Sequence, residues 1–203
     1  METRLINVRV KGVTPLMMHN PAQLMQSAGR GQRTGAKSVP LPEHEAELGT
    51  YRMADGTFCV PAEAVRNAII AASAQFVVKG RKTWKTRVAP AVWVVPRDWI
   101  PLLEADEARP LTEYVVDVRR CVLTGVTGRP AVMRARPRFD TWGLQFKIEY
   151  DTSMFPDSVE AEEALYKILE LAGREVGILE YRPSKGGWYG RFVIEEFEMV
   201  AKP

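Results

Sequence analysis

Histidine and cysteine are scarce in this 203-residue chain, two of each, and no long apolar run interrupts it. A nucleophilic triad needs an imidazole beside Ser or Cys, and His19 and His44 both fall in or beside one long N-terminal excursion. Neither His19-Asn20-Pro21 nor Pro42-Glu43-His44-Glu45 has a metal-ligand spacing. Catalysis by these routes, a metal and a cofactor are therefore not expected. Cys59 and Cys121 sit singly in apolar, strand-like runs without a C-x-x-C pair, so they read as buried free thiols. No window approaches the roughly 18 apolar residues of a membrane span, and Met1-Glu2-Thr3-Arg4 lacks a signal-peptide layout. A cytoplasmic chain without a membrane partner is the expectation.

Acid is missing too, but only locally. No Asp or Glu occurs from Thr3 to Pro42, where Arg4, Arg9, Lys11, Arg30, Arg33 and Lys37 all fall. A second basic block holds Lys79, Arg81, Lys82, Lys85 and Arg87 around Trp84. Between Asp117 and Asp140 the only charges are Arg119, Arg120, Arg129, Arg134, Arg136 and Arg138. Acids collect in Glu104 to Glu113, Asp157 to Glu180 and Glu195 to Glu198, so a net charge of +3 conceals strong segregation. With 46% hydrophobic and 26% charged residues the composition is globular, and the length suits one core with long insertions.

Periodicity supplies the elements. Ile6, Val8 and Val10 alternate with Asn7, Arg9 and Lys11, which predicts a strand. Residues 20–50 show no clear period and read as a long loop insertion. Asp55-Gly56 between Tyr51-Arg52-Met53 and Phe58-Cys59-Val60 is a hairpin signal. Pro61 fits a first helical position, and Val65, Ala68, Ile69, Ala72 and Phe76 carry a helix to about Val77. Strands are expected over Val88–Val95 and from Tyr114 to Leu123, with a turn at Gly125–Gly128 and an arginine-rich return. Leu144, Phe146, Ile148 and Tyr150 make the cleanest alternation. Asp157 suits a helix cap, Leu165, Ile168, Leu169 and Ala172 a buried stripe, and Gly173 a helix end; a last strand runs from Phe192 to about Val200. The order fits an α+β, ferredoxin-like β-α-β-β-α-β antiparallel sheet with two helices on one face. Residues 1–203 then form one domain, with insertions at about 20–50 and 97–138 and a basic β-hairpin thumb.

The candidate site residues are chosen for phosphate and base chemistry. Arginine offers a planar, bidentate fork to phosphate, and a hairpin with six arginines and no acid repels itself unless an anion or an acidic neighbour compensates it. Gly186-Gly187-Trp188-Tyr189-Gly190 precedes a strand rather than a helix, so it is not a nucleotide-cradling loop. Its glycines permit close backbone approach, Arg182, Lys185 and Arg191 suit phosphates, and Trp188, Tyr189 or Trp84 suit base stacking. His19 and Asn20 add polar groups at the start of the long loop. Phe139 and Trp142 read as core.

Three segments resemble the RAMP superfamily, and within it the CRISPR effector backbone subunits that bind guide RNA. Gly12-Val13-Thr14-Pro15-Leu16 is similar to the end of the family's first strand. Val60-Pro-Ala-Glu-Ala-Val-Arg66-Asn67-Ala-Ile resembles its helix start, and Gly177 to Phe192 its C-terminal glycine-rich loop. The resemblance implies Arg66 among the binding residues, the Arg119–Arg138 hairpin as an intercalating thumb, and head-to-tail stacking of subunits, with other effector subunits as further partners. RNA-cleaving members place an aspartate after the first strand, and residues 14–42 have none, so cleavage by that route is not implied. A non-catalytic protein that coats single-stranded RNA, or DNA, is thus expected. The rivals are a phage assembly protein whose basic loops meet acidic patches on neighbouring copies, and a hydrolase using His19.

Overall fold

A computed structural model describes residues 2–23, 41–79, 82–122, 131–155 and 158–200. The expectations for Arg30, Arg33, Arg81 and Arg129, the cap at Asp157 and the turn at Gly125–Gly128 lie outside the described residues, as does the side chain of Lys79.

The first alternation forms β1 (Thr3–Gly12), in which Ile6, Val8 and Val10 are at most 1% exposed. β2 (Leu16–Met17) follows and joins a different sheet. Part of the expected long loop is helical after all: α1 (Pro42–Leu48) starts with a proline at its first turn and has Glu43 and Glu45 where the helix dipole favours acid. Gly56, at φ +89°, turns the expected small hairpin, which leads into β3 (Cys59–Pro61). Pro61 ends that strand and caps α2 (Ala62–Ser73), rather than opening the helix.

The helix also stops short of Val77. The β-branched Val77 and Val78 go instead into a hairpin of β4 (Val77–Lys79) and β5 (Lys82–Thr83). α3 (Lys85–Ala91) then takes half of the run expected to be a strand, leaving β6 (Val92–Val95). Tertiary contact overrides the local pattern here, because Arg66 donates to the carbonyls of Ala89 and Val92 and holds the helix-to-strand junction. β7 (Trp99–Leu103), β8 (Val115–Val122), β9 (Ala131–Phe139) and β10 (Gly143–Asp151) follow. The last helix, α4 (Ser158–Leu171), continues as a wide turn over Ala172–Val176 before β11 (Phe192–Met199). Gly173 therefore lies inside the helical path and not at its end. A Cβ there would stand 2.2 Å from the Phe192 carbonyl oxygen, so the glycine permits close packing on β11, while Gly177 at φ +68° ends the helix.

β1 lies between β10 and β11 and pairs antiparallel with both, setting Ile6 opposite Ile148, Val8 opposite Phe146 and Val10 opposite Leu144. The order is β11-β1-β10-β7-β3, with β6 also on β10. Val65, Ala68, Ile69 and Ala72 of α2 and Leu165, Ile168 and Leu169 of α4 share one core with that row, so the class is α+β with antiparallel sheets. Trp142, wholly buried, donates its indole N–H to the Thr14 carbonyl at 2.8 Å, and only a glycine fits at position 12 beneath its ring. No described helix is long and apolar enough to cross a membrane.

Cys59 is buried, and burial, with a smaller push from the Asp55 carboxylate, raises its thiol to about 11. Cys121 on β8 is half-buried. A thiol reagent at neutral pH should label Cys121 in the native protein and Cys59 only after unfolding, because the thiolate is the reactive form. Mass mapping that finds both modified equally fast would contradict this packing.

Candidate nucleic-acid interface

β8 and β9 form the hairpin of a second sheet, ordered β2-β9-β8. Its register sets Asp117 opposite Arg136, Arg119 opposite Arg134 and Cys121 opposite Val132. With a period of two, Asp117, Arg119, Arg134, Arg136 and Arg138 all fall on one face. That row repels itself less than its composition implies. Asp117, 7% exposed, accepts from both Nε and Nη2 of Arg119 and, at 2.7 Å, from Nη1 of Arg138. The hydrogen bond from Arg119, aided by Arg138 and opposed by burial, holds the Asp117 carboxyl below the usual range. Asp140 also takes Arg138, and the buried Glu45 of α1 accepts from Arg134 at 2.9 Å and from the Ala135 N–H at 3.1 Å. The acidic neighbour is thus the compensation, and Arg119, Arg134 and Arg138 are not free cations. Arg120 points from the other face and is exposed.

The glycine-rich segment meets this hairpin. Arg119 donates to the Tyr189 hydroxyl, and its guanidinium lies 4.8 Å from the Tyr189 ring centre and 5.3 Å from that of Tyr181. Arg136 lies 5.5 Å from the Tyr181 ring, and the Cys121 sulfur is 3.5 Å from the Tyr181 hydroxyl. Asp117, Glu45 and Tyr181 are contributors that sequence reasoning missed. For Asp117 a signal existed, since it precedes Arg119 by two residues and so shares its face.

Close backbone approach does occur at the glycines, but toward the segment itself. A Cβ on Gly187 would stand 1.8 Å from the Tyr181 carbonyl oxygen, and one on Gly190 would stand 2.0 Å from that of Ile178. Leu179 and Tyr181 adopt left-handed backbone, at φ 58° and 53°, which is costly for side-chain-bearing residues and is fixed here by the fold-back. The Tyr189 N–H bonds the Tyr181 carbonyl at 2.8 Å and the Gly190 N–H that of Pro15 at 2.8 Å. Trp188, 79% exposed, Lys185 and Gly186 are left outward. Arg182 is occupied by the Leu179 carbonyl and Ser184, and Arg191 by the Arg174 carbonyl.

Other candidates are placed differently. Trp84 is 8% exposed and stacked on Phe155 at 5.6 Å, so it belongs to the core and its ring is closed to a base. Arg87 covers that indole at 5.2 Å, while Lys82 and Lys85 are exposed. Among the described residues no hydrogen bond, ion pair or ring contact joins this basic turn to the hairpin or the glycine-rich segment. Asn20 is buried, donating to the Thr50 carbonyl and accepting from the Ala22 N–H, and Arg66 is spent on α3 and β6. Both have their side-chain hydrogen bonds within the chain. His19 is half-buried; burial, then the Arg136 guanidinium, holds its imidazole below the ordinary range.

No family model matches the sequence, and no curated protein matches it. Solved structures do. One is a chain in the cryo-EM structure of the Type III-B Cmr-beta bound to cognate target RNA, with a TM-score of 0.53 at 12% identity. That likeness covers 98% of this chain and 61% of the other, so this protein spans less than two thirds of its length. Cmr6 from Pyrococcus furiosus matches at a TM-score of 0.44 and 12% identity, over 95% of this chain and 99% of that one. The chain shares the fold of that chain of the Cmr-beta complex.

Proposed function

We propose that this protein binds single-stranded RNA, in preference to DNA, as a non-catalytic cytoplasmic subunit of a CRISPR-like ribonucleoprotein or of a head-to-tail helical oligomer. The observation that carries the reading is the union of the arginine hairpin and the glycine-rich segment through Arg119, Tyr181 and Tyr189, which makes one surface from two distant stretches. The solved structure with the same fold is described as bound to target RNA, and that supports RNA as the ligand. A ferredoxin-like core is supported by the order β11-β1-β10-β6, in which the first and third strands of β-α-β-β-α-β are adjacent and central.

Lys185 is an exposed cation of the glycine-rich segment, and Trp188 is its exposed ring. Each phosphate neutralised on a single strand contributes about −0.7 to the slope of log affinity against log salt. Fluorescence anisotropy with oligouridine should therefore show binding that weakens steeply with salt, and Lys185→Gln should flatten the slope by about 0.7. An affinity unchanged between low and high salt would reject the proposal.

The pairing of Arg119, Arg134 and Arg138 within the chain gives some support to the assembly-protein reading, since fewer cations are left for phosphate. Size-exclusion before and after nuclease treatment separates the two. Assembly that survives nuclease argues for protein-only contacts.

A further inference from the structure

Beneath the glycine-rich segment, between it and α2, lies a cavity of about 350 Å³. This is at the lower end of the roughly 300–1,000 Å³ typical of small-ligand sites, room for a nucleoside and not for a strand. Its floor is a row of small residues, Ala64, Ala68 and Ala71, one helical turn apart on α2. Two half-buried rings, His19 and Tyr51, stand at its wall, and the Tyr51 hydroxyl donates to the His19 carbonyl at 2.9 Å. That bond ties the phenol to the backbone that carries the imidazole.

The polar lining is rich in acceptors. Glu63 and Glu180 both line the cavity, with the Asn67 amide 3.4 Å from Glu63. The guanidinium of Arg182 is already engaged by the Leu179 carbonyl and Ser184. His19, held neutral by burial and by Arg136, adds no positive charge at neutral pH. The cavity thus has the opposite sign to the arginine hairpin, although Arg136 and Arg134 act on the same imidazole from the hairpin side. A strand lying on the hairpin would keep its phosphates out of this cavity, yet a base swung inward would meet rings, an apolar floor and carboxylates. Among bases, guanine presents two N–H donors side by side on its Watson–Crick edge, matching the two oxygens of a carboxylate. Adenine and cytosine set one donor beside an acceptor, and uracil flanks its single donor with acceptors.

We propose that this cavity is a subsite for one extruded base, guanine in preference, with the carboxylates of Glu63 and Glu180 accepting from its Watson–Crick edge. The proposal rests on the reading that the protein binds single-stranded RNA, and it adds sequence preference to that reading.

The test compares oligouridines carrying one central guanosine, inosine or adenosine by fluorescence anisotropy. Guanosine should bind about tenfold tighter than adenosine, since a hydrogen bond to a charged group contributes at least that much, and inosine, which lacks the 2-amino donor, should fall between. Glu63→Gln and Glu180→Gln should bring the guanosine-to-adenosine ratio toward one, while Lys185→Gln should lower all affinities and keep the ratio. Equal binding of guanosine and adenosine strands overturns the proposal and leaves the RNA reading standing, as does a ratio that survives both carboxylate variants. If no strand binds, the RNA reading itself fails, and saturation-transfer NMR with free guanosine and adenosine decides for the cavity alone. A guanosine signal lost in Glu180→Gln sustains it, and no guanosine signal overturns it.

Discussion

Trp188→Ala is expected to weaken single-stranded RNA binding roughly five- to hundredfold and to leave the unfolding midpoint where it was, whereas Trp84→Ala should do the reverse. Stacking of a base on an aromatic ring is worth about 1–3 kcal/mol, and Trp188 is the exposed ring beside the hairpin. Trp84 packs on Phe155 within the core, and truncating a buried Trp costs about 3–5 kcal/mol. For a chain of this size each kcal/mol shifts the midpoint by about 2–4 °C. Thermal unfolding and anisotropy on the two variants check both halves. Binding lost in Trp84→Ala at a temperature where that variant is fully folded would return Trp84 to the interface.

Asp117→Asn should lower stability and raise RNA affinity together. The wild-type carboxylate is nearly buried and holds two guanidiniums through both oxygens, so Asn leaves them one neutral acceptor and sets an amide N–H donor against them. Breaking a fully buried pair costs about 3–5 kcal/mol, but Arg119 and Arg138 are 32% and 26% exposed and can rehydrate, so about 2 kcal/mol is expected. The pH dependence has a definite sign. The folded carboxyl titrates below its unfolded value of about 3.9, so its contribution is present in full above that value and is lost as pH falls through the folded one. Wild type and variant should therefore differ at pH 7 and converge in acid. The freed guanidiniums should steepen the salt slope by up to about 0.7 each. A variant that is less stable but binds no tighter would place Arg119 and Arg138 off the path of the strand.

What could be read from the sequence was what depends on neighbours along the chain. β1 alternates from Ile6 to Lys11 and β10 from Leu144 to Tyr150, and their inner faces are buried as that pattern requires. Failures occurred where distant contacts decide. Val88 to Val95 looks uniformly β-prone, yet Arg66 from α2 fixes its first half as helix. Trp84 is flanked by lysines and looked exposed, but Phe155, more than seventy residues on, covers it. The hairpin arginines looked unopposed because Glu45 lies ninety residues upstream of its partner Ala135. In the site, Trp188 and Lys185 sit where the glycine-rich motif implied an outward ring and cation, whereas the lysine-rich turn does not reach the same surface among the described residues.

The pairing of β8 with β9 also limits how this arm can vary. Because successive side chains alternate sides, inserting or deleting one residue within either strand would rotate every guanidinium beyond it away from Tyr181 and Tyr189 and onto the flank where Arg120 now stands. Length changes should therefore be tolerated in even steps, or at the tip, and a single-residue change in the stem should disconnect the arm from the glycine-rich segment while preserving its overall charge.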